Sequence, residues 1–314
     1  VDATIISRMK QQSDILDGLR TLFRTRWAKY REEFDNARTG SSSESIHALR
    51  IATRRLIAIL DLLGQSEPAL PVRKCMRKLK RNLRMLRDLR DIQVQVQSTS
   101  ELSARFPQVR FFRQDLLRKE QQLTDAVEDG YSKFCPPGLK RRIRNLKKRL
   151  KAVVQNRLFA NRYRERAQAS LERVYARVLE SRKSVDVADL STIHRLRVRF
   201  KKFRYVAETL PGTQQVHLDA MKRYQDAMGG IQDIAVLRRE LKAFSDKAGV
   251  AVAKRFAPVL EHLDQEQQRS LEAFLLMIDK VQTFRSVTKS APPAKTNRKR
   301  AAKKRKPTKA EPQR

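Results

Sequence analysis

The sequence predicts an all-α protein made of two copies of one helical unit. Three observations carry that expectation. Glycine is scarce, nine in 314 residues, while Leu, Arg, Lys, Ala, Gln and Glu dominate, the composition of a nearly continuous helical chain. No alternating apolar and polar run bounded by turn residues reads as a strand. The stretch SIHALRIATRRLIAIL, beginning at Ser45, returns as TIHRLRVRFKKFRYVAETL, beginning at Thr192.

Taken in order, apolar periodicity predicts a first helix from about Ile5 to Asn36, ended by ARTGSSSES, where Ser43 or Ser45 can cap the next. The second carries His47 and stops near Gly64. QSEPALP turns the chain into a third, about Val72 to Gln97, and a fourth covers about Glu101 to Glu128. DGYSKFCPPGLK, with Gly130, Pro136, Pro137 and Gly138, then breaks the pattern. Beyond it come a long basic helix (about Leu139 to Glu180), the His194 helix, one from about Val216 to Ala248 that Gly229–Gly230 can interrupt, and one from about Ala251 to Arg285. Four helices followed by four predict a duplicated four-helix unit: a repeat over 1–130, a linker over 131–138 and a second repeat over 139–285. Residues 286–314 lack apolar periodicity and predict a disordered basic tail, with 11 Lys+Arg and one acid.

Charge narrows the function. Seventy Lys+Arg against 34 Asp+Glu leave a net charge of +36, which costs self-repulsion and points to a polyanionic partner: nucleic acid, an anionic membrane or a phosphate polymer. Cys75 and Cys135 are isolated thiols with neither metal-ligand nor disulfide-framework spacing, so a reducing compartment is expected. No signal peptide or membrane-spanning run is read, and a cytoplasmic protein is expected.

Helical spacing then sorts the cations. His47, Arg50 and Arg54 share one narrow stripe, bordered by Leu49, Leu56, Leu60 and Leu63 on the core side. The copy places His194, Arg197, Lys201 and Arg204 beside Leu196, Phe200, Phe203 and Leu210. On the third helix Arg73, Arg77, Lys80, Arg84 and Arg87 flank Met76, Leu79, Leu83 and Leu86. Cations that border the core, rather than oppose it, point along a groove between packed helices, where their repulsion calls for an anion. Aligning the histidines also aligns Arg50 with Arg197, Arg54 with Lys201 and Arg55 with Lys202. One helix later, LRDIQV meets IQDIAV and places Asp91 on Asp233. A solvated basic face explains any one stripe as well, but not its repetition. His217 and His262 have no such company, and Glu208 reads as an i+4 partner of Arg204.

The paired motifs IHxLRIxxRRL and IHRLRVRFKKFRYxxE, each followed by an Asp-bearing RDIQV or QDIAV, resemble the CHAD family, the conserved-histidine α-helical domains. The resemblance runs to about residue 285. It implies two four-helix bundles related by a pseudo-twofold axis, and binding of inorganic polyphosphate in a basic cavity, some members lying on polyphosphate granules. By position it implies His47, Arg50, Arg54 and Arg55 from the first motif, and His194, Arg197, Lys201, Lys202 and Arg204 from the second. Arg77, Lys80, Arg84 and Arg87 join them from the stripe on the third helix. The first motif departs from the family at Ile57, where a further basic residue is usual, so the halves are not expected to contribute equally.

No Gly-rich phosphate loop, nucleophile elbow or carboxylate pair suited to magnesium is read, so a binding protein without cofactor, metal or catalytic residues is expected. The rival is a histone-like protein that binds DNA or RNA non-specifically through AAKKRKPTKA in the tail. Aromatic residues, 6% of the chain, fall at core spacings and offer single strands no stacking platform. Contacts with other granule proteins are compatible with the first reading.

Overall fold

The structure, a computed structural model, describes residues 3–134, 137–154, 157–210 and 215–288, and among these there is no strand. The helices are α1 (Ala3–Thr39), α2 (Ser43–Ser66), α3 (Val72–Met85), α4 (Arg87–Arg105), α5 (Val109–Phe134), α6 (Pro137–Val154), α7 (Arg157–Lys183), α8 (Leu190–Ala207), α9 (Gln215–Lys247) and α10 (Val250–Met277). A 3-10 turn (Ile278–Phe284) and the short α11 (Arg285–Thr288) follow. The eight expected helices are all present: the third is divided into α3 and α4, and the long basic one is described as α6 and α7 on either side of residues 155–156, which lie outside the described residues. No described helix is long and apolar enough to cross a membrane.

The boundaries that differ have local causes. Ser42, rather than Ser43 or Ser45, caps α2, its hydroxyl accepting from the Ser45 amide at 3.2 Å. The third helix breaks at Leu86, which leaves helical geometry (φ −85°, ψ 2°) while its side chain stays buried. No Gly or Pro marks that break. α4 then passes the expected stop at Gln97, and Ser98, Thr99 and Ser103 turn their hydroxyls back onto carbonyls three or four residues earlier. Pro107 ends it instead. α9 runs unbroken through Gly229–Gly230. A Cβ on Gly229 would lie 3.2 Å from Arg197 Nη2, so this glycine serves close packing rather than a turn. Of the expected linker, Tyr131 belongs to the last turn of α5 and is buried, while residues 135–136 lie outside the described residues. Of the expected tail, Ser286–Thr288 are helical and 289–314 lie outside the described residues.

Consecutive helices pair in the same order in each half: α1 with α2 and α4 with α5, then α7 with α8 and α9 with α10. The apolar interior forms three cores. The first is built from α1, α2, α3, the start of α4, the end of α5, α6 and the first half of α7, around Trp27, Tyr30, Phe159 and Tyr163. The second gathers the rest of α7, α8, the start of α9 and the end of α10, around Phe200, Phe203, Tyr224 and Phe274. The third joins the halves: Leu102, Val109 and Phe112 of the α4–α5 hairpin pack with Leu237, Leu241 and Phe256 of the α9–α10 hairpin. α2 also packs on α8, and α4 on α9. The two histidine helices and the two aspartate helices therefore meet along one seam.

Candidate functional site

Along that seam the two repeated stripes converge. Lys201 on α8 is half-buried among the guanidinium groups of Arg54, Arg197, Arg50 and Arg204; desolvation first, then these four like charges, push its ammonium down to about 7. His47 on α2 is pushed below its ordinary value by desolvation and by Arg90, Arg54, Arg50 and Lys201. Cations of one half thus act on those of the other, as stripes that merely faced solvent would not.

Arg50 departs from the expectation of a residue bordering the core. It is buried, Nη1 donating to the Leu83 carbonyl of α3 at 3.2 Å. Desolvation and Arg54 lower its pKa to about 10. Arg197 reaches across Gly229, and its Nε is buried with no acceptor among the described residues. His194 lies with Nδ1 3.2 Å from Gln232 Oε1, in line for its ring N–H to donate to that amide.

The aspartate helices supply what the histidine motif did not reveal. Desolvation holds Asp91 and Asp233 above their ordinary values. Nearby cations oppose that rise, Arg50 first for Asp91, and Arg197 and Lys201 for Asp233. Arg90, the residue before Asp91, joins the groove and feels Asp233 across the seam, while its Nη1 donates to the Ser43 hydroxyl at 2.6 Å. Its signal was position: it precedes the repeated aspartate, where the second half has Gln232. Five cations (Arg50, Arg54, Arg90, Arg197 and Lys201) thus face two carboxylates across four helices.

Two predicted cations are tied up in a different cluster. Arg55 grips Glu208 with both arms of its fork, Nε to Oε2 at 2.6 Å and Nη2 to Oε1 at 3.4 Å. The buried Glu208 also pairs with Arg204 at 3.5 Å, the expected i+4 contact, and with Arg26 of α1 at 3.7 Å. Arg26 had no signal in the sequence, because α1 carries no copy of the motif. At the position equivalent to Arg204, Ile57 packs against the first core, so the halves differ here in kind. Lys202 is exposed, as are Lys80 and Arg87, the last donating to Asp88 at 3.2 Å. Arg77 and Arg84 line a separate cleft between α3 and α6.

The arrangement can hold a chain of anionic groups: several fixed cations, one lysine and one histidine that gain charge when anions arrive, and donors without acceptors. The fold agrees with solved structures. It is similar to the crystal structure of the CHAD domain from the plant Ricinus communis (TM-score 0.55, 14% identity, 88% of this chain and 92% of that one) and to PptA from Streptomyces chartreusis (TM-score 0.57, 12% identity, 85% and 99%). No curated protein matches. The family model described as CHAD domain matches residues 21–242. That match takes in both histidine helices and most of the chain, and the chain belongs to the CHAD domain family.

Proposed function

We propose that the chain binds inorganic polyphosphate in the basic groove between its two repeats and associates with polyphosphate granules, as a binding protein rather than a catalyst. The observation that supports this most is the meeting of like charges from both repeats, with the Lys201 ammonium pushed down to about 7 by desolvation first and then by the four guanidinium groups around it. A linear polyanion without bases to read needs dense cations at the right spacing and little else. In this reading His47, Arg50, Arg54, Arg197 and Lys201 meet phosphate, with His194 and Arg90 at the rim. Arg55 and Arg204 position the helices through Glu208. Lys202, Lys80 and Arg87 add field from the exposed surface.

Competition between long-chain polyphosphate and duplex DNA at physiological salt tests the proposal, using the full chain and a version ending at Thr288. The truncated protein is expected to keep its polyphosphate affinity and lose most of its DNA affinity, the basic segment 289–314 being the part suited to duplex phosphates. If polyphosphate affinity disappears together with DNA affinity when that segment is removed, binding resides in the tail, which favours the histone-like reading over the groove.

Two further results are expected. Affinity should fall linearly with salt on a log–log plot, and Arg54→Gln should make the slope shallower by about one unit, as when one phosphate is no longer neutralised. A slope near zero would indicate a pocket for a small neutral ligand.

The second concerns protons. Lys201 titrates at about 7 when folded against an ordinary 10.5, so between those values the unfolded chain holds the extra proton. Its contribution therefore makes the free protein more stable as pH rises from about 7 to about 10.5. Binding runs the other way, because phosphate restores the proton. Calorimetry at pH 8 in buffers of different ionisation enthalpy should show proton uptake on binding, reduced in Lys201→Gln. Equal uptake by both proteins would remove Lys201 from the site.

A further inference from the structure

α3 carries a second concentration of charge that the histidine groove does not absorb. A cleft of about 350 Å³ between α3 and α6 is lined by Lys74, Arg77, Lys78, Arg81, Arg84 and Arg142, six cations and no carboxylate. The α3 residues fall in adjacent rows of one helical face, with spacings of three and four, where like charges repel. Underneath, Cys75 and Leu79 of α3 and Ile143 and Leu146 of α6 are buried, so the core fixes the two helices and holds the charges together. Some cations elsewhere on the surface have carboxylate partners: Arg162 with Glu67 at 2.8 Å, Arg199 with Glu180 at 2.9 Å, and Arg238 with Asp264. Among the described residues none of the six cleft cations has an ion-pair partner within 4.0 Å.

We propose that the α3/α6 cleft is a second phosphate-binding site, which takes a compact run of phosphates, either a free short-chain oligophosphate or the far part of a chain seated in the histidine groove. The volume is at the small end for a ligand pocket, and it admits a thin flexible polyanion but not a base-paired duplex. The two sites adjoin. Arg50 of the groove donates to Leu83 of α3, and the next residue, Arg84, lines the cleft. From there to Lys74 is about 15 Å along the helix axis. A chain that leaves the groove over α3 meets the cleft, and its second attachment is then intramolecular, which favours long chains over short ones. The free-oligophosphate form stands on the cleft alone; the shared-chain form rests also on the function proposed above.

Tripolyphosphate and long-chain polyphosphate, titrated into the full chain, separate the outcomes. Lys78→Gln, Arg81→Gln and Arg142→Gln together should abolish one class of tripolyphosphate site, and Arg54→Gln with Lys201→Gln should leave that class intact. Long-chain affinity of the cleft variant should fall about a hundredfold, as expected when a linked second attachment is removed. The three cleft positions are exposed or half-buried, and helical circular dichroism should be unchanged. If the cleft variant keeps the wild-type tripolyphosphate stoichiometry and long-chain affinity, the second site is wrong. If it loses the tripolyphosphate site with long-chain affinity unchanged, the occupant is free oligophosphate. If tripolyphosphate still binds the cleft while the groove variant holds long chains as tightly as wild type, the groove is not the polyphosphate site and the cleft stands by itself.

Discussion

Reversing the charge of Arg54 and Lys201 together, to glutamate, is expected to lower polyphosphate affinity roughly a thousandfold, since removing a single charge-assisted hydrogen bond costs about tenfold or more before repulsion is added. The same two reversals at Lys303 and Lys304 give a protein of equal net charge and should cost less than about tenfold. The contrast rests on geometry. Arg54 and Lys201 come from different repeats and act on one another inside a partly desolvated seam, where charges are screened less than on an open surface. Arg50 is a poorer choice for reversal, because its buried guanidinium donates to the Leu83 carbonyl and a carboxylate there would face another oxygen. Equal losses of affinity in the two variants, with both helical by circular dichroism, would mean that total charge governs binding and that the histidine helices are not the site.

The second large effect is on stability. Glu208→Gln should destabilise the protein by about 3 kcal/mol, the cost of leaving buried charges without their partner. For a chain of this size that is a fall of roughly 5 °C in Tm. Glu208 answers Arg55, Arg204 and Arg26 from α2, α8 and α1, and its side chain is only 5% exposed. Glu180, which pairs with Arg199 on the open surface, is the control: Glu180→Gln should change stability by less than about 1 kcal/mol. If the two substitutions have similar effects on Tm, the buried cluster does not hold the repeats together.

These two clusters show what the sequence could and could not reveal. The repeat, the helical class and the cation stripes were legible, because period and spacing determine which residues share a face. The i+4 pair of Arg204 with Glu208 was legible for the same reason and is present at 3.5 Å. Arg55 has the same spacing signal as its aligned counterpart Lys202, yet one is bound to Glu208 and the other is exposed. Which neighbour a face meets depends on how helices distant in the chain pack, and periodicity carries no record of that. Arg26 and the break at Leu86 were hidden for this reason. The Ser/Thr run after Gln97 misleads in the opposite sense: residues that often end helices here bond back onto their own turn. Gly229 carries a helix-breaking signal, but its role is to admit the approach of Arg197.

α7 belongs to two interiors at once: Phe159 and Tyr163 complete the first core, while Leu171 and Val178 begin the second. This arrangement sets an order of events on the ribosome. When α1 to α5 have emerged, the aromatic cluster around Trp27 and Tyr30 still lacks α6 and the first turns of α7. At roughly 5–20 residues per second the nascent chain waits seconds for them. The arrival of Phe159 and Tyr163 closes the first core, and the same helix, as it extends, presents the template on which α8 condenses.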